Sequence, residues 1–138
     1  MSAPIVLGFD GSEQSVAALA ETARIAKETG AEVVVVFAYY ISPLGGGDVR
    51  DYKEGLERVA EHETRRALND LDEAGVKATA RHVSGKPADA LLEVAGEIGA
   101  RMIVVGSSTQ GPIAAAVLGS VVISLVQRSP VPLLVVPA

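Results

Sequence analysis

Short, uninterrupted apolar runs recur along the chain and predict the strands of a buried sheet. Residues 5–9, 33–37, 102–105 and 133–136 form such runs and are rich in Val, Ile and Leu. Continuous apolar runs are typical of parallel strands that are covered on both faces, because a strand with one wet face would alternate apolar and polar residues. Residues 76–83 do alternate, which predicts a fifth strand at or near an exposed edge.

Between these runs, apolar residues recur at three- and four-residue spacing and predict four helices. The predicted helices cover residues 13–29, 48–74, 88–98 and 120–128. Ser12 and Ser120 are the expected N-caps of the first and last helices, Pro87 suits the first position of the third, and Gly30 ends the first. The second helix has one predicted apolar stripe, made of Val49, Tyr52, Leu56, Val59, Ala60, Ala67, Leu68 and Leu71.

The alternation of five strands with four helices predicts a single doubly wound α/β domain over residues 1–138. The expected architecture is a five-stranded parallel sheet in the order 3-2-1-4-5, with helices on both faces. Pro130 and Pro132 restrict pairing at the start of the last strand, which places that strand at an edge. A free apolar edge favours pairing with a second copy of the chain, so we expect a homodimer through residues 131–136.

The strand order predicts that two loops from distant parts of the sequence meet at one crevice. Ligands of such sheets bind at the carboxyl ends of the strands where the order reverses, here beside Asp10 and Gly106. Residues 106–119 are rich in small side chains and lead into the start of a helix. This segment is either a phosphate cradle or an ordinary connection between a strand and a helix. Asp10 either accepts hydrogen bonds from ribose hydroxyls or holds a magnesium ion, or it bonds backbone N–H groups of its own loop.

Composition and charge narrow the classes of function. The 138 residues carry a formal net charge of −5, which argues against a nucleic-acid partner because a phosphate-backbone binder needs a basic face. Cysteine is absent, so thiolate chemistry and zinc–thiolate sites are excluded. His62 and His82 lie without further donors in sequence, and we expect no metal site at either. No apolar run approaches a membrane span and no basic leader opens the chain, so we expect a cytoplasmic protein.

Three motifs give the chain a resemblance to the universal stress protein family over essentially its full length. They are the GFDGS segment at residues 8–12, the GKP segment at residues 85–87, and a block running from VVG at 104–106 through GSV at 119–121 to SPVPLLVV at 129–136. The resemblance implies a doubly wound α/β domain that dimerises through its last strand and acts in stress tolerance. One branch of the family binds ATP through Gly, two residues, Gly, nine residues, Gly, then Ser or Thr.

The resemblance implies a site for ATP or another adenine nucleotide. Its expected residues are Gly8, Phe9, Asp10, Ala38, Gly106, Ser107, Thr109, Gly119, Ser120 and Val121. Gly106, Gly119 and Ser120 are in register with the family pattern, but Thr109 stands where the pattern has its middle glycine. A β-branched residue tolerates positive φ poorly and places a side chain where phosphate would approach the backbone. The sequence also has no Lys or Arg between Arg101 and Arg128, so binding would be weaker or need magnesium.

Two functions follow from these observations. The first is a nucleotide-responsive stress protein with little or no hydrolysis, because no general base or catalytic His lies on the predicted loops. The second is an interaction module of the same fold that binds no nucleotide, which Thr109 favours. A phosphoacceptor receiver domain would need more acidic residues beside Asp10, and an ATP-pyrophosphatase-type ligase would need a Ser-Gly-Gly loop. Residues 42–47 are interpreted as either a long connector or a lid.

Overall fold

The computed structural model describes residues 3–39, 49–107 and 119–138, and within them strands and helices alternate. The elements in chain order are β1 (Ile5–Gly8), α1 (Glu13–Thr29), β2 (Val33–Tyr39), α2 (Val49–Glu73), β3 (Ala78–Ser84), α3 (Pro87–Ile98), β4 (Met102–Gly106), α4 (Ser120–Arg128) and β5 (Leu133–Val136). The predicted lid or connector at residues 42–47 lies outside the described residues. None of the described helices is both long enough and apolar enough to cross a membrane.

All five strands are parallel and lie in the order β3-β2-β1-β4-β5, which confirms the predicted sheet. β1 lies at the centre, with Leu7 between Val35 of β2 and Val104 of β4. The order reverses on passing from β1 to β4, because the first half of the chain builds the sheet in one direction and the second half in the other. The carboxyl ends of β1 and β4 therefore lie side by side.

Two separate apolar cores cover the two faces of the sheet. One contains Leu7 and Val104 with residues of α1 and α2, and the other contains Val6 and Ile103 with residues of α3 and α4. Successive strand residues point to opposite faces, so continuous apolar runs supply both cores at once. The prediction of helices on both faces is confirmed.

The helix ends follow local sequence signals at most positions. The Ser12 hydroxyl accepts a hydrogen bond from the Ser15 N–H at 3.2 Å, as an N-cap should, and Gly30 ends α1 in the left-handed conformation. Pro87 is the first residue of α3. The predicted N-cap Ser120 is wrong by one position, because Gly119 has the extended backbone of the cap (φ −65°, ψ 156°) and Ser120 is already helical.

The predicted apolar stripe of α2 is wrong at Tyr52 and Val59, whereas Leu56 is half-buried. Tyr52 is 58% exposed and Val59 is 49% exposed, whereas Ala60, Ala67 and Leu71 are fully buried. Each residue turns the helix by 100°, so Val59 lies a quarter of a turn away from Ala60 and off the stripe that faces the sheet. The helix α2 is also longer than the neighbouring strand β3. Its 25 residues span about 37 Å, whereas the seven residues of β3 span about 23 Å.

The two edges of the sheet are β3 and β5, as predicted. On β5, the carbonyl oxygens of Pro132 and Val136 accept hydrogen bonds from the N–H groups of Ile103 and Ser107, each at 3.0 Å. Backbone direction alternates along a strand, so Leu133 and Val135 direct their own N–H and C=O groups toward the open edge. All four residues of β5 are half-buried rather than buried.

Candidate functional site

A cleft opens at the carboxyl edge of the sheet, at the point where the strand order reverses. It has a volume of about 150 Å³, and it is bounded by the ends of β1, β2 and β4 and by the first turns of α1, α3 and α4. Its lining residues are Gly8, Phe9, Asp10, Ser12, Gln14, Ser15, Val36, Ala38, Pro87, Leu91, Val105, Gly106 and Val121. The predicted meeting of the Asp10 loop with the end of β4 is therefore observed.

The predicted site residues divide into three groups by position. Those that line the cleft are Gly8, Phe9, Asp10, Ala38, Gly106 and Val121. Ser107, Gly119 and Ser120 are described, immediately after β4 and at the start of α4, but they are not among the lining residues. Thr109 lies outside the described residues, so its effect at the position of the family's middle glycine stays a prediction.

The loop between β1 and α1 is held by hydrogen bonds among Asp10, Ser12 and Ser15. The Asp10 carboxylate accepts from the Ser12 N–H at 2.9 Å, and the Ser15 hydroxyl accepts from the Asp10 N–H at 3.4 Å and donates to the Ser12 carbonyl at 3.0 Å. The backbone-bonding interpretation of Asp10 is thus observed. A carboxylate has about four acceptor positions, so Asp10 keeps capacity for a ligand hydroxyl.

The hydrogen bonds of this loop determine the ionisation state of Asp10. Partial desolvation acts to raise the pKa of the carboxyl, but the hydrogen bonds from Ser12 and Ser15 outweigh it and hold the pKa below its ordinary value. Asp10 is itself exposed. The cleft therefore contains a carboxylate that is negatively charged at neutral pH.

Glu63 of α2 packs behind this loop. Gly11 has φ +86°, so its backbone needs glycine, and a Cβ atom built on it would lie 2.6 Å from the Cδ atom of the flexible Glu63 side chain, which would have to shift. The buried Glu63 Oε2 atom makes no hydrogen bond within the described part of the chain, and Arg66 Nη1 lies 3.7 Å from it. This contact is not predictable from the sequence, because nothing local pairs residue 63 with residue 11.

The end of β4 touches the first turn of α1. A Cβ atom on Gly106 would lie 2.5 Å from the backbone carbonyl of Gln14, which no real contact permits. Gly106 is therefore required by packing between a strand and a helix, independently of any ligand. This is a second reason for glycine at a position that the sequence assigned to phosphate.

One wall of the cleft is apolar and comes from β2, β4 and α3. Val36, Ala38, Leu91 and Val105 line it, and Pro87 stands at its rim. Gly8 forms part of the floor, where an added Cβ would lie 3.2 Å from side-chain atoms of Leu91 and Val105. Such a wall suits a flat, weakly polar group such as a nucleobase. The contribution of α3 was missed, although the GKP segment marks where that helix starts.

The opposite side is the first turn of α4, from Gly119 to Val121. The Ile123 N–H bonds the Gly119 carbonyl at 3.0 Å, and the N–H groups of the residues between them have no partner inside the helix by construction. Together with the positive end of the helix dipole they favour an anion. A helix start thus lies next to the cleft, but residues 108–118 of the predicted cradle lie outside the described residues, so anion binding here stays a prediction.

The two histidines lie away from this cleft. His82 Nε2 is 2.9 Å from Thr64 Oγ1, a contact that joins β3 to α2, and His62 is exposed. Across residues 3–39, 49–107 and 119–138, no three His, Cys, Asp or Glu side chains form a group that could hold a metal ion.

The sheet order and the cleft at its reversal define a doubly wound α/β protein with a cleft at the switch point. A sequence model of the universal stress protein family matches residues 1–137, and the chain belongs to that family. The predicted resemblance is confirmed.

Three similar proteins illustrate the relationship. A universal stress protein of Methanocaldococcus jannaschii, MJ0531, is 31% identical over 136 residues, which cover 96% of this chain and 80% of the relative. A universal stress protein of Thermus aquaticus, from the QAH/OAS sulfhydrylase 3′ region, is 32% identical over 133 residues, with 96% of each chain covered. The crystal structure of a universal stress protein in complex with cAMP superimposes with a TM-score of 0.78 at 29% identity, covering 97% of this chain and 96% of that one.

Proposed function

We propose that this protein binds an adenine nucleotide at the switch-point cleft and acts as a stress-response regulator. The observation that carries the proposal is that Asp10, Gly106 and Val121, from three distant parts of the sequence, line one cleft. The family relative that binds cAMP supports adenine as the base. ATP or another adenine nucleotide is the expected ligand, with Mg²⁺ accompanying a polyphosphate.

Each part of a nucleotide has a matching surface in this proposal. The apolar wall of Ala38 and Leu91 would pack against the base, and the Asp10 carboxylate would accept hydrogen bonds from ribose hydroxyls. The backbone N–H groups of Ser120 and Val121 would bind phosphate at the helix start. Four of these residues, Asp10, Ala38, Leu91 and Val121, line the cleft, and Ser120 lies next to it as the first residue of α4.

Regulation is proposed rather than rapid catalysis because of the titratable groups available. Asp10 alone among the described lining residues carries an ionisable carboxyl or basic group, and its pKa is lowered. A general base works best with a pKa near the operating pH, so Asp10 is a weak base for activating water. We expect hydrolysis of ATP to be slow or undetectable.

We also propose a homodimer through β5. Leu133 and Val135 direct backbone groups to an open edge, and the strand is only half-buried, as expected of a strand that pairs with a second copy. A cytoplasmic location remains a prediction from the sequence.

An alternative function is favoured by Thr109. If its side chain occupies the phosphate position, the protein would be an interaction module whose cleft binds no nucleotide. The proposals differ in one measurable property, which is affinity for adenine nucleotides.

The deciding experiment is isothermal titration of the purified full chain with ATP, in buffers with and without Mg²⁺. Native mass spectrometry of freshly purified protein adds retained ligand and subunit number in one measurement. Saturable binding that the variant Gly119→Val lacks would support the nucleotide-binding function. No binding of any adenine nucleotide at millimolar concentration would leave the interaction module as the function.

A further inference from the structure

A second cleft lies at the amino edge of the sheet, at the opposite ends of the strands from the switch-point cleft. It has a volume of about 620 Å³, and it is bounded by the end of α2 and by the starts of β2 and β3. We call it the amino-edge cleft. Nothing in the proposed nucleotide site uses it.

The edge of the sheet beside the amino-edge cleft is unpaired within the described part of the chain. The Lys77 carbonyl accepts from the Val33 N–H at 3.0 Å, so the backbone groups of residues 77, 79, 81 and 83 face β2. Ala78 and Ala80 therefore direct their N–H and C=O groups to the open edge. The seven residues of β3 pair with β2 without a bulge and include no proline, so β3 lacks two devices that commonly block an open edge. Its first half can hydrogen-bond to a further strand.

The floor of the amino-edge cleft is apolar. Leu68, Val76 and Ala78 line it, and all three belong to or pack against the core on the α2 side of the sheet. A strand added to β3 would direct alternate side chains to the two faces of the sheet. Every second side chain of that strand would lie on the α2 side, close to Leu68, where a small apolar group fits best.

The rim of the amino-edge cleft is mainly negative. Glu32 and Asp72 line it as exposed carboxylates, and Lys77 is the basic residue among the described lining residues. None of these three side chains forms an ion pair with another described residue. The last turn of α2 adds Asp70 and Glu73 and has no basic residue, although the negative end of a helix dipole favours cations. A cation from outside the chain would offset this arrangement.

These features together define the chemistry of an occupant. We propose that an extended segment of a partner protein, with Lys or Arg next to apolar residues, pairs with the open edge of β3 and fills the amino-edge cleft. Its basic side chains would meet the unpaired carboxylates of Glu32 and Asp72, which gives charge complementarity. A second copy of this chain fits less well, because a two-fold interface would place the same negative rim against itself.

The test uses three synthetic nine-residue peptides and the full-length protein. The first peptide alternates Val with Lys and Thr, the second has Glu in place of each Lys, and the third is the first with methyl groups on its backbone nitrogens. Fluorescence anisotropy measures binding at 50 mM and 500 mM NaCl. At low salt we expect the first peptide to bind at least tenfold more tightly than either of the others. Its advantage over the acidic peptide should shrink at high salt, because salt screens charge interactions.

Variants of the protein locate the binding site. Asp72→Asn and, separately, Glu32→Gln should each weaken binding of the basic peptide at least threefold at low salt. Ala80→Pro should weaken it at least tenfold, because proline removes an N–H group that faces the open edge and leaves the groups that pair with β2. The matched control is Glu57→Gln, which removes an exposed charge from the same helix about four turns before Asp72 and should leave the affinity unchanged.

Each outcome either supports or overturns the proposal. No binding of the basic peptide at millimolar concentration would overturn it, as would equal affinities of the basic and acidic peptides. Equal effects of Asp72→Asn and Glu57→Gln would also overturn it, and these two variants decide the question if Ala80→Pro does not fold. Native mass spectrometry that shows a dimer for the unmodified protein and a monomer for Ala80→Pro would assign the edge to a second copy instead. None of these results depends on nucleotide binding.

Discussion

Gly106 at the end of β4 lies against the backbone of Gln14 in the first turn of α1, so closely that a Cβ atom on the glycine would be 2.5 Å from the Gln14 carbonyl. This contact fixes the distance between the two loops that form the cleft. The shape of the site therefore depends on strand–helix packing as well as on the loops themselves.

Replacement of Gly106 by alanine should destabilise the protein. The added methyl group meets helix backbone, which cannot move aside as a side chain could, and overpacking of this kind costs about 1–3 kcal/mol. Urea denaturation measures the change in the free energy of unfolding. The control is Gly96→Ala, at an exposed position of α3 with nothing within 4 Å of the new Cβ, where helix propensity predicts a gain of about 0.5–1 kcal/mol. Equal effects of the two substitutions would contradict the packing role of Gly106.

Replacement of Gly119 by valine should remove nucleotide binding and leave the fold in place. Gly119 has φ −65° and ψ 156°, a conformation that every residue adopts, so valine introduces no backbone strain. Its side chain would, however, stand at the start of α4, where phosphate would approach the N–H groups. Circular dichroism should show a folded protein whose melting temperature is only modestly lowered, because valine is a poorer N-cap than glycine, while calorimetry shows lost affinity. Unchanged affinity would exclude this helix start as the phosphate site.

The stability of the β1–α1 loop should depend on pH through Asp10. The pKa of Asp10 is lower in the folded protein than in the unfolded chain, so its stabilising effect is complete above the unfolded pKa of about 4 and is lost as pH falls through the folded pKa. Asp10→Asn should lower the free energy of unfolding by about 0.5–1 kcal/mol at pH 7, a modest value because solvent screens this exposed group. Urea denaturation between pH 3 and 7 should show the difference from the unmodified protein shrink as the pH falls below about 4. A difference that is constant across this range would contradict the assignment.

Replacement of Val135 by proline should prevent dimer formation while preserving the β4–β5 pairing. Val135 directs its N–H group to the open edge, so proline removes a donor that only a second copy would use. Val135→Ala is the control, because it reduces the side chain but keeps the N–H group. Light scattering after size-exclusion chromatography should give a monomer for the proline variant and a dimer for the alanine variant. A dimer in both cases would place the interface elsewhere.

Most of the architecture was predictable because the signals were local or periodic. The continuous apolar runs gave the buried parallel strands, and Ser12, Gly30 and Pro87 marked helix ends. The error at Ser120 has a physical cause: Gly119 takes the cap conformation as easily as Ser does, and sequence alone could not place the boundary to one residue.

The composition of the cleft was predictable only in part. The strand order predicts that Asp10, Gly106 and Val121 lie in the cleft, because the ends of adjacent strands and the segments that follow them must lie together. The positions of Leu91 in the cleft and of Glu63 behind the β1–α1 loop do not follow from the strand order, since they depend on how far α3 and α2 rotate as they pack against the sheet. The exposed Tyr52 and Val59 show the same effect, because spacing along α2 gives no absolute orientation of its faces.

The hydrogen bonds that join Asp10, Ser12 and Ser15 have a consequence for the thermodynamics of recognition. This loop is already ordered in the free protein, so a ligand need not immobilise it. Ordering a mobile side chain on binding costs about 0.5–1.5 kcal/mol, and here that cost is part of folding instead of binding. Such preorganisation strengthens the binding of any ligand that hydrogen-bonds to this loop.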